Sequence, residues 1–454
     1  MRRVKAAALP EDLGPEDIVV FDAAPFDVPT PIAAAITAAP HAELSHLNVR
    51  SAARGTPSCR VADAMSRFES WEGKLARVEC GAEGVAIRAA SAAEVADAVR
   101  RRRPLPVTIA PPDLSGALVN LLEIPADGVA ERSLSRRRYG AKAANLATLA
   151  QRIPAAWTVR GFAIPLAAYD AFIHQGSPSL ASRIDEIFAD ARVLADPAYR
   201  KTRLAALRAA FEKTSVDPET LRLVSGNVET MFGADTMVRF RSSSNAEDDV
   251  LFNGAGLYDS VSVCLADDRD SDSRGPSRCD GDTKEERGVA RGLVKVWASL
   301  WTDRAVAERL WYGIDPRRVA MGVLVDPRAK SERANIVAFT ASPNGPAFLV
   351  EAQKGELAVV SSEPGVWPEQ TRLRIGPGNA LSIERMATSS EAKEVLTESV
   401  LRELGARLVT IQSLFPVDDK APAGADIILD TEWKVLADGR LIIKQIRPFL
   451  RRPR

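Results

Sequence analysis

The chain has 454 residues, with 60 Lys and Arg against 60 Asp and Glu, 46% hydrophobic and 26% charged. That profile excludes disorder, collagen and coiled coil, and at ~100–200 residues per domain it predicts about two to four domains. The formal net charge of zero argues against a nucleic-acid wrap or a strongly steered membrane partner, so neither is expected.

Cys59, Cys80, Cys264 and Cys279 are widely spread with no CxxC pair, and the expectation is unbonded, inert thiols in a reducing compartment. The basic start meets Pro10, Glu11 and Asp12 before any apolar leader core. No later window holds the ~18 apolar residues of a transmembrane span, so a cytoplasmic location is expected.

In chain order, Asp17 to Asp22 (DIVVFD) reads as a strand closed by the proline-punctuated loop AAPFDVPTP. The alanine-rich run after it favours helix. In HAELSHLNVRSAARGTPSC, Ser45 is an N-cap, Leu47, Val49 and Ala53 have the spacing of a short helix, and Gly55-Thr56-Pro57 ends it; His46 sits on the first turn. LARVEC and EGVAIRAAS alternate as strands, completing a small α/β module that ends at the basic run Arg100 to Arg103 and at Pro104, Pro106, Pro111 and Pro112. A second part opens with a helix over Ala141 to Gln151, its apolar face at Ala143, Leu146, Leu149 and Ala150. Helical patterns run from Tyr169 to Phe232, then yield to strand, loop and strand in TMVRFRSSSNAEDDVLFNGAGLYDSVSVCL. Residues 267–287 are polar, mixed in charge and aperiodic, the mark of an exposed insertion loop. One helix over VARGLVKVWASLWTDRAVAERLWYG, strands at MGVLVD, ANIVAFT and AFLVEAQ, and a terminal hairpin complete the chain.

That hairpin, DIILDTEWKVLADGRLIIKQIRP, turns at Asp438-Gly439, a dipeptide favoured in tight hairpins. With Ala437 facing Arg440, Glu432 lies opposite Gln445 and Asp430 opposite Arg447, and alternation puts all four on one face. Carboxylate and amide oxygens suit magnesium, and a forked guanidinium neutralises phosphate beside it. On an isolated hairpin the same set reads as a solvated face with cross-strand ion pairs. Two further segments bear on phosphate. Arg239 and Arg241 share one face of a strand that leads into a serine-rich turn and a loop with Gly254 and Gly256, whose small residues let backbone N–H groups approach an anion. Gly140-Ala141-Lys142 opens a helix, where free N–H groups, the dipole and a lysine make an anion site. Taken singly, each also reads as turn glycines, a solvated arginine face or an exposed lysine.

Together and in order, YGAKAANLATL, RFRSSSNAEDD with NGAGLYDS, VWASLWTDRAVAERLWYGID, AFTASP with VEAQKGE, and DTEW with KQIRP resemble the ATP-binding domain of the pyruvate phosphate dikinase and phosphoenolpyruvate synthase superfamily. The GAK opening and NGAGLYDS are more similar to its α-glucan water dikinase branch. The resemblance implies a nucleotide-binding domain of ATP-grasp type over 126–454, with lobes of roughly 133–335 and 336–454. In it Lys142 and Arg241 hold phosphates, Asp430, Glu432 and Gln445 serve magnesium, and Arg447 contacts the transferring phosphate. Glu351, Gln353 and Glu356 fall in the segment that lines the nucleotide pocket of the family.

Residues 1–125, through DIVVFDAAP and LSHLNVRSAARGTPS, resemble the swivelling phosphohistidine domain of the same superfamily, with His46 at the phosphorylated position. A neutral imidazole nitrogen is nucleophilic near pH 7, and a helix N-terminus stabilises the dianion it acquires. Departures are Leu44 for the usual threonine, Ala42-Glu43 for a glycine pair, with a negative charge beside incoming phosphate, and Ala143 for a glycine. Neither a phosphoenolpyruvate-binding barrel after Pro448 nor a carbohydrate-binding module before residue 1 is expected. The expected fold class is α/β and α+β multidomain, a swivelling β/α domain followed by the two-lobed nucleotide domain. The expected function is an ATP- and magnesium-dependent phosphotransferase of the dikinase type with His46, Lys142 and Arg447 as catalytic residues; its acceptor is a small molecule, a glucan or a protein. The rivals are a catalytically degenerate ATP-binding sensor or scaffold, favoured by Glu43 and Leu44, and one half of a split dikinase whose partner chain supplies the acceptor domain.

Overall fold

The structure is a computed structural model. It describes residues 1–454 except 26–27, 29, 82–83, 270–273, 341–345, 360–365, 377, 379, 418–424 and 452–454, and except the side chains of His46 and Arg451. The end of the AFTASP motif thus lies outside the described residues.

Short, apolar runs make the first sheet. β1 (Arg2–Val4), β2 (Ile18–Phe21), β3 (Ala34–Thr37) and β4 (Ser58–Arg60) pair in parallel in that order. The alanine-rich run read as helix is therefore β3: pairing on both edges and burial of Ala35 and Ile36 outweigh alanine's helix preference. α1 (His46–Arg54) forms as expected. The Ser45 side chain accepts the Asn48 N–H, and Gly55, in the left-handed region, ends the helix by donating to Ala52 and Ser51. α2 (Ala64–Arg67), the hairpin β5 (Ala76–Gly81) and β6 (Gly84–Ala89), and α3 (Ala92–Arg102) follow.

β7 (Val119–Asn120) precedes the expected boundary at 125/126, yet it pairs with β8 (Phe162–Ile164). After α4 (Val129–Tyr139) and α5 (Ala141–Ala150) come α6 (Leu166–Ile173), α7 (Leu180–Ala189), α8 (Arg192–Ala195), α9 (Pro197–Glu212) and α10 (Pro218–Phe232). β9 (Val238–Ser244), β10 (Ser260–Val263) and β11 (Met321–Pro327) complete a five-stranded sheet in the order β10-β9-β11-β8-β7. Phe162, Tyr169, Phe211, Phe240, Trp297 and Trp301 fill the core beside it. The helix expected over 289–313 is two, α11 (Val289–Ala298) and α12 (Asp303–Trp311). A 3-10 turn carries Leu300 and Trp301 into the core and the extended Thr302 restarts the chain.

Two expectations are corrected here. All four cysteines are bonded, Cys59 to Cys80 and Cys264 to Cys279; the pairs meet by folding, which no spacing motif announces. The insertion at 267–287 is anchored rather than simply exposed. Asp267 accepts the N–H groups of Arg278 and Arg287, Asp268 accepts that of Val289, and Asp280 pairs with Arg328 and Lys330. Its polar residues satisfy the loop's own backbone, a use invisible to composition.

The last sheet is antiparallel: β12 (Ala334–Phe339), β13 (Ala347–Lys354), β14 (Glu369–Ile375), β15 (Leu381–Ala387), β16 (Asp426–Val435) and β17 (Leu441–Arg451), ordered β15-β14-β13-β12-β16-β17. α13 (Glu398–Leu414) buries Leu401, Leu404, Leu408 and Ile411 against one face, with Phe348, Val350, Leu373 and Trp433. The other face is left for the site. α5 bridges the two larger sheets: Ala143, Leu146 and Ala147 pack with Ala163 and Leu324, while Leu149 joins the C-terminal core. Its ten residues are all buried, and its alanines allow that close approach on two sides.

Candidate functional site

Directly opposed residues in antiparallel strands share a face, so the registers define two rows across the open side of the C-terminal sheet. One row runs Leu349, Phe339, Asp430, Arg447; the next runs Glu351, Val337, Glu432, Gln445. The expected pairs Asp430–Arg447 and Glu432–Gln445 are present. The turn that leads to them differs. Leu436, not Ala437, faces Arg440, giving a three-residue loop with Gly439 at φ 91, and a bulge restores the register between Glu432 and Trp433 by leaving Lys444 unopposed.

β9 brings the opposing charges. Arg241 donates through Nη1 to the Lys444 carbonyl at 2.7 Å and through Nη2 to Gln445 Oε1 at 2.6 Å, with Glu432 Oε2 at 3.4 Å. Arg447 Nε and Nη2 meet Asp430 Oδ2 at 2.7 and 2.6 Å. Burial pushes the Asp430 carboxyl up to about 6 even with Arg447 beside it.

Lys142 arrives from α5, and Gly140 sets its place. Gly140 has φ 80, and a side chain there would collide with the Ser243 backbone, so only glycine lets α5 start against β9. Ser243 Oγ accepts from Ala143 N at 3.0 Å and donates to the Tyr139 carbonyl at 2.7 Å, capping one helix and ending the other. Lys142 Nζ then reaches Ser242 O at 2.9 Å, Ser242 Oγ at 3.3 Å and Glu247 Oε2 at 2.8 Å. The expectation left this lysine open to the exposed reading; it is buried. Glu247 and Asp248 were given no role from sequence. Glu247 is pushed up to about 7 by burial, against the pull of Lys142, and Asp248 holds Gln445 and Arg447. The only sequence signal for them is an acidic pair closing a serine-rich strand. Gly254 and Gly256, both in the left-handed region, lie in the following loop, and Gly254 packs on the Glu247 backbone.

The N-terminal part docks on the same open face. Leu44 and Val49 join Ala255, Phe339, Leu349, Ile428 and Phe449 in one apolar cluster, and Ile428–Phe449 is the pair two residues along from Asp430–Arg447. At ~3.4 Å per residue that is about 7 Å away. The Leu44 N–H donates to Glu351 Oε1 at 3.0 Å, and burial pushes the Glu351 carboxyl up to about 8 although the Leu44 and Gln370 hydrogen bonds oppose it. Arg54 Nε meets Glu308 at 2.8 and 3.0 Å, and Tyr312 donates to the Ala53 carbonyl at 3.1 Å. His46 opens α1; its side chain lies outside the described set. Glu351 therefore sits on the site's face but under Leu44. By alternation Gln353 shares that face, with Nε2 donating to the Trp367 carbonyl and Oε1 accepting from Ser389 Oγ, and Glu356 pairs with Arg328.

Among the described residues there is no cluster of three or more His, Cys, Asp or Glu able to hold a metal. Magnesium on a polyphosphate needs fewer, one or two carboxylates plus phosphate and water. Asp430 Oδ1 is buried with no hydrogen-bond partner, beside Glu432 and the Gln445 amide, and hard oxygens with one left orphaned fit such an ion.

Lys142, Arg241 and Arg447 are thus interleaved with carboxylates between two sheets, an arrangement chemically suited to an anionic polyphosphate. The chain belongs to the pyruvate phosphate dikinase, AMP/ATP-binding domain family, whose model matches residues 136–454. It is similar to a rifampicin phosphotransferase of Streptomyces sviceus, 31% identical over 209 residues, 45% of this chain and 21% of the relative. It is also similar to a rifampicin phosphotransferase of a Streptomyces species, 29% identical over 236 residues, 51% of this chain and 23% of the relative. The match thus spans less than a quarter of either relative's length. No helix among the described residues is long and apolar enough to cross a membrane.

Proposed function

We propose that the chain is the nucleotide-binding and carrier part of an ATP-dependent phosphotransferase of the dikinase type. The observation that carries this reading is the docking of α1, with His46 as its first residue, beside Asp430 and Arg447. Phosphates of ATP are held by Lys142, Arg241 and Arg447, with the loop of Gly254 and Gly256 alongside. Asp430, Glu432 and Gln445 would hold magnesium, which when bound neutralises phosphate charge. His46 accepts the phosphoryl group at an imidazole nitrogen as the P–O bond to the nucleotide breaks. Catalysis is positioning and charge neutralisation by this chain's own cations. The finer architecture in this reading is a swivelling phosphohistidine domain ahead of a two-lobed ATP-grasp domain, supported by the parallel first sheet and by two antiparallel sheets with charges between them. The second acceptor is a small molecule, as the relatives' name gives rifampicin for them, or a glucan or protein.

The test is incubation with magnesium and ATP labelled separately at the β and γ phosphates. The expected result is acid-labile, base-stable label on the protein that disappears in His46→Ala. ATP binding without label in the wild type would instead favour a sensor or scaffold, the reading to which Glu43, beside the docked Leu44, lends support.

A further inference from the structure

We propose that Asp248 is a positioning residue of this site, whose carboxylate clasps Gln445 and Arg447 and dictates which way their polar atoms face. The role rests on the phosphotransferase reading above. Asp248 follows β9 with its side chain buried and its backbone at φ 49, in the left-handed region. That conformation is held from two sides. Its N–H donates to the Asn253 carbonyl at 2.8 Å and its carbonyl accepts Asn145 Nδ2 at 3.1 Å. Oδ2 accepts Gln445 Nε2 at 3.0 Å, Oδ1 accepts Arg447 Nη1 at 3.2 Å, and Lys142 Nζ lies 4.0 Å from Oδ2.

The chemistry of the donors then leaves one arrangement. An ionised carboxylate only accepts and a guanidinium only donates. Gln445 lies between the two, so its NH2 must face Asp248 and its oxygen must face Arg241, the 2.6 Å contact observed. A flipped amide would set oxygen against carboxylate and NH2 against guanidinium. The same Arg241 Nη2 lies 3.4 Å from Glu432 Oε2, so the Gln445 oxygen is delivered to Glu432, where the two form a pair of hard acceptors. Arg447 is fixed by the same logic. Nη1 is spent on Asp248 while Nε and Nη2 are spent on Asp430, so the plane of the fork is set by two carboxylates, one on the loop after β9 and one on β16. Asp248 thereby joins the β9 loop to β17 at the point where both offer groups to phosphate and metal.

Asp248→Asn replaces one of the two acceptor oxygens by an NH2 without disturbing the backbone, because asparagine is at least as tolerant of left-handed φ. Its NH2 must then face one of two donors. Outer partners of this sort typically contribute 10–100-fold to metal affinity or activity. In the variant, the magnesium concentration giving half-maximal ATP binding by calorimetry, and half-maximal labelling, is expected to rise at least about tenfold, with kcat falling more than KM for ATP changes. Asp248→Asn combined with Gln445→Glu restores complementarity, since the asparagine NH2 then donates to a carboxylate and its oxygen still accepts from Arg447. That pair is expected to regain most of the magnesium dependence lost in the single variant. A single variant with wild-type magnesium dependence overturns the inference, and so does one that melts lower with magnesium dependence and the KM-to-kcat split unmoved. No recovery in the double variant overturns it as well. Failure of the function itself is distinct, because there the wild type takes no label, whether or not it binds ATP.

Discussion

Arg447 is held by three contacts to two acids, which only a planar fork can make at once. Arg447→Lys keeps the charge and loses that geometry. Phosphoryl transfer is expected to fall roughly 10²-fold, since an arginine on a transferring phosphoryl contributes more than a point charge does, while the melting temperature changes little. Single-turnover labelling at equal rates in both proteins would remove Arg447 from the site. This residue, with Asp430, Glu432 and Gln445, was legible because period-2 alternation puts Asp430 with Glu432, and Gln445 with Arg447, on one face of each strand. Asp248 and Glu247 were not. Their roles depend on partners about 200 and 100 residues away along the chain, and no local period encodes those.

At the scale of elements, the hairpin came out in register through two offsets that cancel: a turn one residue longer than expected and a bulge at Lys444. The bulge has its own partner. Lys444 is buried with Nζ 2.8 Å from Asp326 on β11, an attraction from another sheet. α1 was readable from its caps alone, whereas β3 was mistaken because alanine's preference is weak beside two flanking strands. Docking of α1 turns on Leu44, the residue that looked like a defect in the histidine motif; it fills an apolar socket of Phe339, Leu349, Ile428 and Phe449. Removing a buried leucine side chain costs about 2–5 kcal/mol, here drawn from docking. Leu44→Ala is expected to slow labelling of His46 by at least about tenfold, in line with that cost, with ATP affinity by calorimetry held. Unchanged labelling would mean that α1 does not react from this docked position.

For the whole molecule, burial raises the carboxyls of Glu351 to about 8, Glu247 to about 7 and Asp430 to about 6. A carboxyl raised in the folded state keeps a proton that the unfolded chain has already lost. Stability is thus fully present below the ordinary carboxyl range and declines as pH rises from ~4.5 towards 8, by up to about 1.4 kcal/mol per pH unit for each such group. Glu351→Gln keeps the acceptor for the Leu44 N–H and removes the proton. Urea unfolding at pH 6, 7 and 8 is expected to give a flatter slope in the variant than in the wild type; equal slopes would mean Glu351 is ionised when folded. The wording of the motifs carried the family resemblance, and caps and alternation by themselves determined most strands and helices and the same-face pairs of the hairpin, because those depend on neighbours within a turn or one strand. Only the tertiary structure decided which cysteines meet, that Lys142 is buried against Glu247, that Leu44 is an anchor, and that Asp248 commands the amide of Gln445. Each of those is a contact between segments whose separation along the chain carries no signal, and whose cost or gain exists only once water has been excluded between them.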